Sequence, residues 1–546
     1  MKIKQYAAFA LIGLALSACN KPGGEGPDVV EPEGKLVKAK LAISIPKSVR
    51  TYALPGAGDA LATDDEIHAN HIDVFIYDDG GSYALKYERF TRATVDFDSS
   101  TDPADGEFKN QNDAGAYVTG EFDVREGKKL VYVGINLPDL IVERLKTGYY
   151  VNEIYEQTNL IDELVNEIEA AGSGQVAFFN TAIVRHNIGD PDGGGPLIDD
   201  GLDISVSVSR LVAKVVVGVD QATSWDVNGG TIAASSLYFA IGQRNNQMFV
   251  SPLVGGADPN YLASTIPNVL AASALHPTIQ KLQFVTVGDP GDYIQVNGLT
   301  PDAGDGANTN MRYATENTSD EYRHQDVTYV SVRAKFIPHR YNDVDPVTGE
   351  LPDDGTANNT AELTLEDGFY AVFTGDPDGD DALGVRYFDN IADARAFVIG
   401  TYFTGQVGVA IVESTDPTFD EDAPDTDSDH YIFFYEDSWC YYRIYLNSVG
   451  DYDILRNTVY LATITGINYI GTTKRDAVPG GYEDPTILTG GRGTPTYPGD
   501  WFPNNLPGFP ILPTAQISPT PMMEDLNVTI TVEDWDDVDE GNVDVY

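Results

Sequence analysis

Only two thiols occur in the 546 residues, Cys19 and Cys440, and the first sits where a thiol has a definite use. Lys2 and Lys4 supply positive charge, Ala7 to Leu16 is an apolar run of ten residues, and Leu16-Ser17-Ala18-Cys19 closes it. Such a run is too short for a stable bilayer span and has the make-up of an export signal. Its last four residues have the pattern of a bacterial lipobox. Small side chains suit a signal peptidase, and a cysteine at the new N-terminus accepts a diacylglycerol group through its thiolate. Cys19 is therefore the expected lipidation site. Cys440, in SWCYYRIYL, reads as a small buried hydrophobe. Two cysteines exclude a disulfide framework as the source of stability.

The next candidate is Arg50, in Ser48-Val49-Arg50-Thr51. It separates an alternating apolar segment from TYALPGAGDALATDD, which reads as exposed loop and so as open to a protease. Cleavage between Arg50 and Thr51 would detach everything before it. No other constellation is as well placed. Asp376-Pro377-Asp378-Gly379-Asp380-Asp381 begins like a calcium loop, but Asp381 stands where glycine is needed and Tyr387 where glutamate is needed. Asp425, Asp427 and Asp429 have suitable spacing with Glu436, yet His430 holds the glycine position. His68 and His71 are three apart in a segment that turns to strand alternation, so they face opposite sides. Phosphate loops, nucleophile elbows and paired metal-ligand motifs are absent from the sequence. No metal, cofactor or catalytic residue is expected, and nothing points to an enzyme.

The charge narrows the partners. There are 84 Asp+Glu against 34 Lys+Arg, a net of −50. Such a surface repels phosphate, which excludes nucleic acid and disfavours anionic bilayers. Hydrophobic residues make up 42 %, enough for a large core.

These residues need elements to hold them. Val37, Ala39, Leu41, Ile43 and Ile45 alternate with Lys38, Lys40, Ala42 and Ser44: a strand with one buried face, ended by Pro46. Strands follow at Ile72–Ile76, Leu130–Ile135 and Leu202–Val208, and Leu211–Val219 is a nearly unbroken apolar run. Between Leu137 and Ala171 the period changes; Leu160, Ile161, Leu164 and Ile168 recur at helical spacing, with Gly172 as a stop. A second strand series runs from Leu237 to Ile467, including an apolar run at Leu282–Val287. Residues 476–521 hold ten prolines and read as an extended arm. Beyond the arm, Leu526, Val528, Ile530 and Val532 alternate with Asn527, Thr529 and Thr531. That strand has one face to bury and no neighbour in sequence. It either folds back on its own domain or is given to another molecule.

LAISIPKSVR, SRLVAKVVV, YVSVRAKFIP, YYRIYLNS, LRNTVYLATITGI and LNVTITVEDW, in this order behind the lipobox, resemble the fimbrillins of Bacteroidales type V pili, most closely the shaft subunits of the short fimbriae. The resemblance spans nearly the whole chain. It implies a mostly β fold with two transthyretin-like β-sandwich domains, which the sequence would supplement with a helical insertion in the first, an extended C-terminal arm and a donor strand. It implies a lipoprotein precursor, cleavage by an arginine-specific protease, a cell-surface polymer, and strand exchange in which the terminal strand of one copy fills the groove left by the first strand of the next. The division that follows is signal peptide 1–18, propeptide 19–50, sandwich domains 51–220 and 221–475, and arm with terminal strand 476–546. Expected partners are copies of the same chain, anchor and tip subunits, the protease, and host or bacterial surface ligands. A surface glycan-binding lipoprotein is the alternative, since 31 Tyr and 4 Trp offer stacking platforms.

Overall fold

The computed structural model describes residues 35–45, 69–79, 85–93, 103–112, 116–148, 154–156, 160–166, 175–182, 184–188, 202–219, 224–242, 244–245, 247–251, 294–296, 311–318, 328–339, 341, 368–373, 385–402, 432–446, 453–468, 470–471 and 526–534. In chain order, the first half holds β1 (Leu36–Ser44), β2 (His71–Asp78), β3 (Leu85–Arg92), β4 (Glu107–Asn112), β5 (Ala116–Thr119), β6 (Phe122–Arg125), β7 (Gly127–Ile135), α1 (Asp139–Thr147), β8 (Ile154–Glu156), α2 (Leu160–Leu164), β9 (Val165–Asn166), β10 (Gln175–Val176), β11 (Phe178–Asn180), β12 (Val184–Ile188) and β13 (Leu202–Arg210). The second half holds β14 (Val212–Val219), β15 (Ser224–Val227), β16 (Gly230–Ala233), β17 (Tyr238–Gly242), β18 (Gln247–Phe249), β19 (Ile294–Gln295), β20 (Met311–Thr315), β21 (Tyr329–Pro338), β22 (Phe369–Phe373), β23 (Val385–Phe388), α3 (Ile391–Tyr402), β24 (Ile432–Tyr435), β25 (Trp439–Tyr445), β26 (Thr458–Ile467) and β27 (Leu526–Asp534). The chain is mostly β.

The first half is built on a ten-stranded sheet in the order β11-β13-β1-β5-β4-β3-β2-β7-β12, with β6 also on β1. Because β11 bonds β7 as well as β13, the path closes on itself around one apolar cluster. Closure removes an edge that would otherwise be left open. α1 lies against β2: Pro138 precedes it, Asp139 opens it, and Ile141, Val142 and Leu145 are buried. Its last turn is tied down by the Tyr77 hydroxyl, which donates to the Leu145 carbonyl at 2.7 Å. Its first turn is tied through Arg89, which reaches Asp139 at 3.0 Å and the buried Asp73 at 2.7 Å. Tyr87 also donates to Asp73, at 2.7 Å, and His71 Nε2 lies 3.3 Å from it. Burial opposes the Asp73 charge, but His71, Arg89 and Tyr87 together hold its carboxyl below the usual carboxylate value.

The second half packs a four-stranded sheet, β20-β14-β26-β27, and a six-stranded one, β15-β16-β21-β17-β19 with β25 beside β21, around a second cluster. The β15–β16 turn is Asn228-Gly229, both at positive φ, the two-residue turn whose twist matches its strands. β14 explains the unbroken run at Leu211–Val219. Val212 and Val216 pack in the first cluster, while Ala213, Val215 and Val217 pack in the second. A strand buried on both faces has no polar side to show. Sheet membership therefore changes at Leu211, earlier than a division at 220/221. The halves are stitched at that point: Arg210, at the end of β13, donates to Asn457 Oδ1 at 3.3 Å, and Asn457 N–H is itself held by Val212 O at 2.8 Å. β8 pairs with β18 across the same junction.

Two helical features differ from the sequence pattern. The helix expected over Leu160–Ile168 ends at Leu164, because Val165 and Asn166 are captured by Val176 and Gln175 as a short ladder. α3 has no counterpart in the sequence pattern: IADARAFVIGTY is apolar without a clear helical stripe, and it packs through Ala394, Phe397 and Val398 against β22 and β23.

Candidate assembly site

β1 is an interior strand. It runs parallel to β13, with Leu41 facing Ile204 and Ile43 facing Val206. On its other side it is antiparallel to β5 through Ala42–Ser44 and to β6 through Leu36–Ala39. Its alternation is used as written. Ala39 and Leu41 are 0 % exposed, Ile43 1 % and Ile45 3 %, and Val37 packs half-buried on the same cluster. The opposite face is wetter. There Lys38 meets Asp123 directly across the ladder at 3.2 Å, and that carboxylate raises the Lys38 ammonium above its usual value. Between its β5 and β6 contacts the Leu41 N–H is met by the Thr119 hydroxyl at 3.0 Å.

β27 is an edge strand. Over its whole length it pairs antiparallel with β26, from Ile467 opposite Leu526 to Thr458 opposite Asp534, with an irregularity between Ile464 and Gly466. Val532 stands opposite Tyr460 and Ile530 opposite Ala462. Val528 and Ile530 are half-buried on the second cluster. Of the two fates open to the terminal strand, folding back onto its own chain is the one seen. β26 is anchored at its start by Arg456, whose guanidinium bonds Glu316 at 2.5 Å and the Phe249 and Val250 carbonyls at 2.9 and 3.2 Å.

Cys19, Arg50 and Thr51 lie outside the described residues, as do the arm at 476–521, the run Leu282–Val287, His68 and the two acidic loops. Ile45 is the last described residue before the expected cut. Among the described residues no group of three or more His, Cys, Asp or Glu is placed to hold a metal ion. Cys440 is buried, donates to the Ala334 carbonyl at 3.3 Å, and burial pushes its thiol up to about 11. The two described tryptophans are engaged within the fold. Trp225 packs on the second cluster, and Arg333 and Lys335 lie 4.5 and 5.0 Å from the Trp439 ring centre. Thr119 carried no signal in the sequence, since a threonine in a strand is unremarkable until its neighbour is known.

No family model matches the chain, and no curated protein matches it. Solved structures do. The chain is similar to a candidate cell adhesion protein from Parabacteroides distasonis at 10 % identity, covering 92 % of this chain and 98 % of that one, with a TM-score of 0.39. It is similar to a fimbrilin from Porphyromonas gingivalis W83 at 14 % identity, covering 92 % and 99 %, with a TM-score of 0.36. It is also similar to the C-terminally truncated tip fimbrial protein Mfa3 of Porphyromonas gingivalis at 8 % identity, covering 79 % and 96 %, with a TM-score of 0.33. These are loose likenesses of layout, without residue-level correspondence.

Proposed function

We propose that this chain is a shaft subunit of a surface fimbria. It is exported as a lipoprotein on Cys19, cut between Arg50 and Thr51, and joined to the next copy when a terminal strand seats where β1 had been. The single observation that carries this reading is the place of β1. It is an N-terminal strand, yet it is interior, with a ladder on each side and four apolar side chains in the core. Its loss leaves a groove with two unpaired edges, which is a template for another strand.

β27 has the matching pattern. Its apolar residues alternate over a similar length, and its own seat is on an edge. Burying four aliphatic side chains contributes on the order of 6–12 kcal/mol before ordering costs. Each ladder bond adds about 1 kcal/mol net. The sum supports a durable non-covalent joint without a disulfide. A chain with both a removable first strand and a donor strand suits the shaft. A tip subunit needs no donor, and a basal anchor keeps its lipid. Anchor and tip subunits, an arginine-specific protease and surface ligands are the remaining partners under this reading.

The test is the N-terminus of the surface form and its state on an unboiled gel. The expected result is a ladder whose subunits begin at Thr51. A monomer beginning at lipidated Cys19 would overturn the reading. Deleting residues 523–546 should leave an exported protein that forms no ladder; normal fibres from that truncation would exclude β27 as the donor.

A further inference from the structure

The groove around β1 is not uniform, and its irregularity selects a register. Ala42 faces Val118 and Ala39 faces Phe122, so Lys40 and Leu41 stand against Thr119, Gly120 and Glu121. Two residues opposite three make a bulge in the β5–β6 wall. The bulge cannot slide. Gly120 N–H is held by Glu107 O at 2.7 Å, and a Cβ at Gly120 would collide with the Ala104 carbonyl. At this point the wall offers the occupant a buried hydroxyl: Thr119 is 0 % exposed and accepts the Leu41 N–H. Two further features flank it. Phe122, edge-on to Phe90 at 5.6 Å, stands opposite Ala39, so that seat is small. Asp123 stands opposite Lys38, so the adjoining outer seat disfavours an acid.

Resting on the assembly reading above, we infer that Thr119 pins the incoming terminal strand in one register, with Ile530 N–H on the Thr119 hydroxyl and Leu526 to Val532 over Val37 to Ile43. The strand runs in the direction of β1, which keeps antiparallel pairing with both β5 and β6. The alternatives that keep the same face inward fail on charge or volume. Moved two residues one way, Asp534 falls on the Ile43 seat, 1 % exposed, and Asp536 on the Ile45 seat, 3 % exposed, so two carboxylates turn inward instead of one. Moved two residues the other way, Leu526 meets Phe122 in the Ala39 seat, Glu524 turns inward at Val37, and Asp525 faces Asp123. In the inferred register Val528 takes the small seat, Asn527 faces Asp123 as a hydrogen-bond donor, and Asp534 falls on the seat of Ile45, 3 % exposed and just past the end of β1, as the one acid turned inward.

The experiment uses the full-length precursor cut with an arginine-specific protease, with cross-strand cysteines read on a non-reducing gel. Asp123→Cys with Asn527→Cys should give a covalent ladder, and Asp123→Cys with Asp525→Cys should not. Thr119→Val leaves a buried N–H without its acceptor, so subunits should exchange out of the polymer roughly tenfold faster, while Thr119→Ser behaves as the parent. A covalent ladder from the Asp525→Cys pair, or parental exchange in Thr119→Val, overturns the register while leaving the assembly reading intact. Absence of any polymer from the unsubstituted chain overturns both.

Discussion

The two halves place equivalent strands differently. In the first, β1 lies parallel to β13, and β13 is backed by β11. In the second, β14 lies parallel to β26, and β26 is backed by β27. β27 thus takes the place that β11 takes, but β11 is local and also bonds β7, closing its sheet. β27 comes from the far end of the chain and, among the described residues, bonds β26 alone. β1 of the first half is interior and buried to 1 % or less at Ala39, Leu41 and Ile43. β27 of the second half is at an edge among the described residues and half-buried at Val528 and Ile530. An edge strand leaves by breaking one ladder, whereas an interior strand must break two and empty a core. Under the function proposed above, the difference teaches that the two ends would need different release mechanisms. Covalent cleavage would suit β1, and opening of a single ladder would suffice for β27.

The sharpest test of this contrast is truncation on each strand. Leu41→Ala should lower precursor stability by roughly 2–5 kcal/mol. Ile530→Ala, on a half-buried edge, should cost about 1 kcal/mol. Both are read by denaturant titration, and equal losses would erase the interior–edge distinction. Next is the acid response of the first half. The Asp73 carboxyl is held low, so its contribution is complete above the unfolded carboxylate value of about 3.9 and is lost as pH falls through its folded value. Asp73→Asn should cost about 2 kcal/mol at neutral pH and flatten the stability profile below about pH 4, followed by near-ultraviolet dichroism. A mutant with the parental acid profile would show that Asp73 is not the sensor.

Hydrogen exchange sharpens the comparison further. β27 amides should exchange through local opening at least about tenfold faster than those of β1, whose opening approaches the global one. The smallest expected effect concerns charge. Residues 1–50 carry a net of 8 − 4 = +4, so removing them takes the chain from −50 to −54. The segment from Met522 to Tyr546 has nine acids and no Lys or Arg. The proposed strand exchange would replace a cationic occupant with an anionic one, and screening should then speed assembly a few-fold as salt rises to roughly 0.15 M. Slower assembly over that range, measured by light scattering, would contradict it.

Legibility in the sequence followed the use of each face. β1, β2, β13, β26 and β27 were readable because each has, or begins with, a regular apolar alternation. β3, LKYERFTR, and β4, EFKNQN, were not, since most of their side chains are charged or polar and only the partner strands reveal them as strands. β14 was visible as apolar but not as shared, because a run buried on both faces does not say against what. Thr119 was invisible for the same reason: its role exists only opposite Leu41.

The sequence by itself determined that both ends carry a strand with one apolar face, that Arg50 follows the first of them, and that the chain is strongly acidic. These are properties of residue order, and period-two alternation is local. Tertiary structure alone decided that the first strand is interior and the last is an edge, that β26 is the seat of β27, and that a bulge with a buried hydroxyl marks one point of the groove. Alternation demands that a face be buried but does not name its neighbour. That choice is made by pairing and packing across residues hundreds of positions apart.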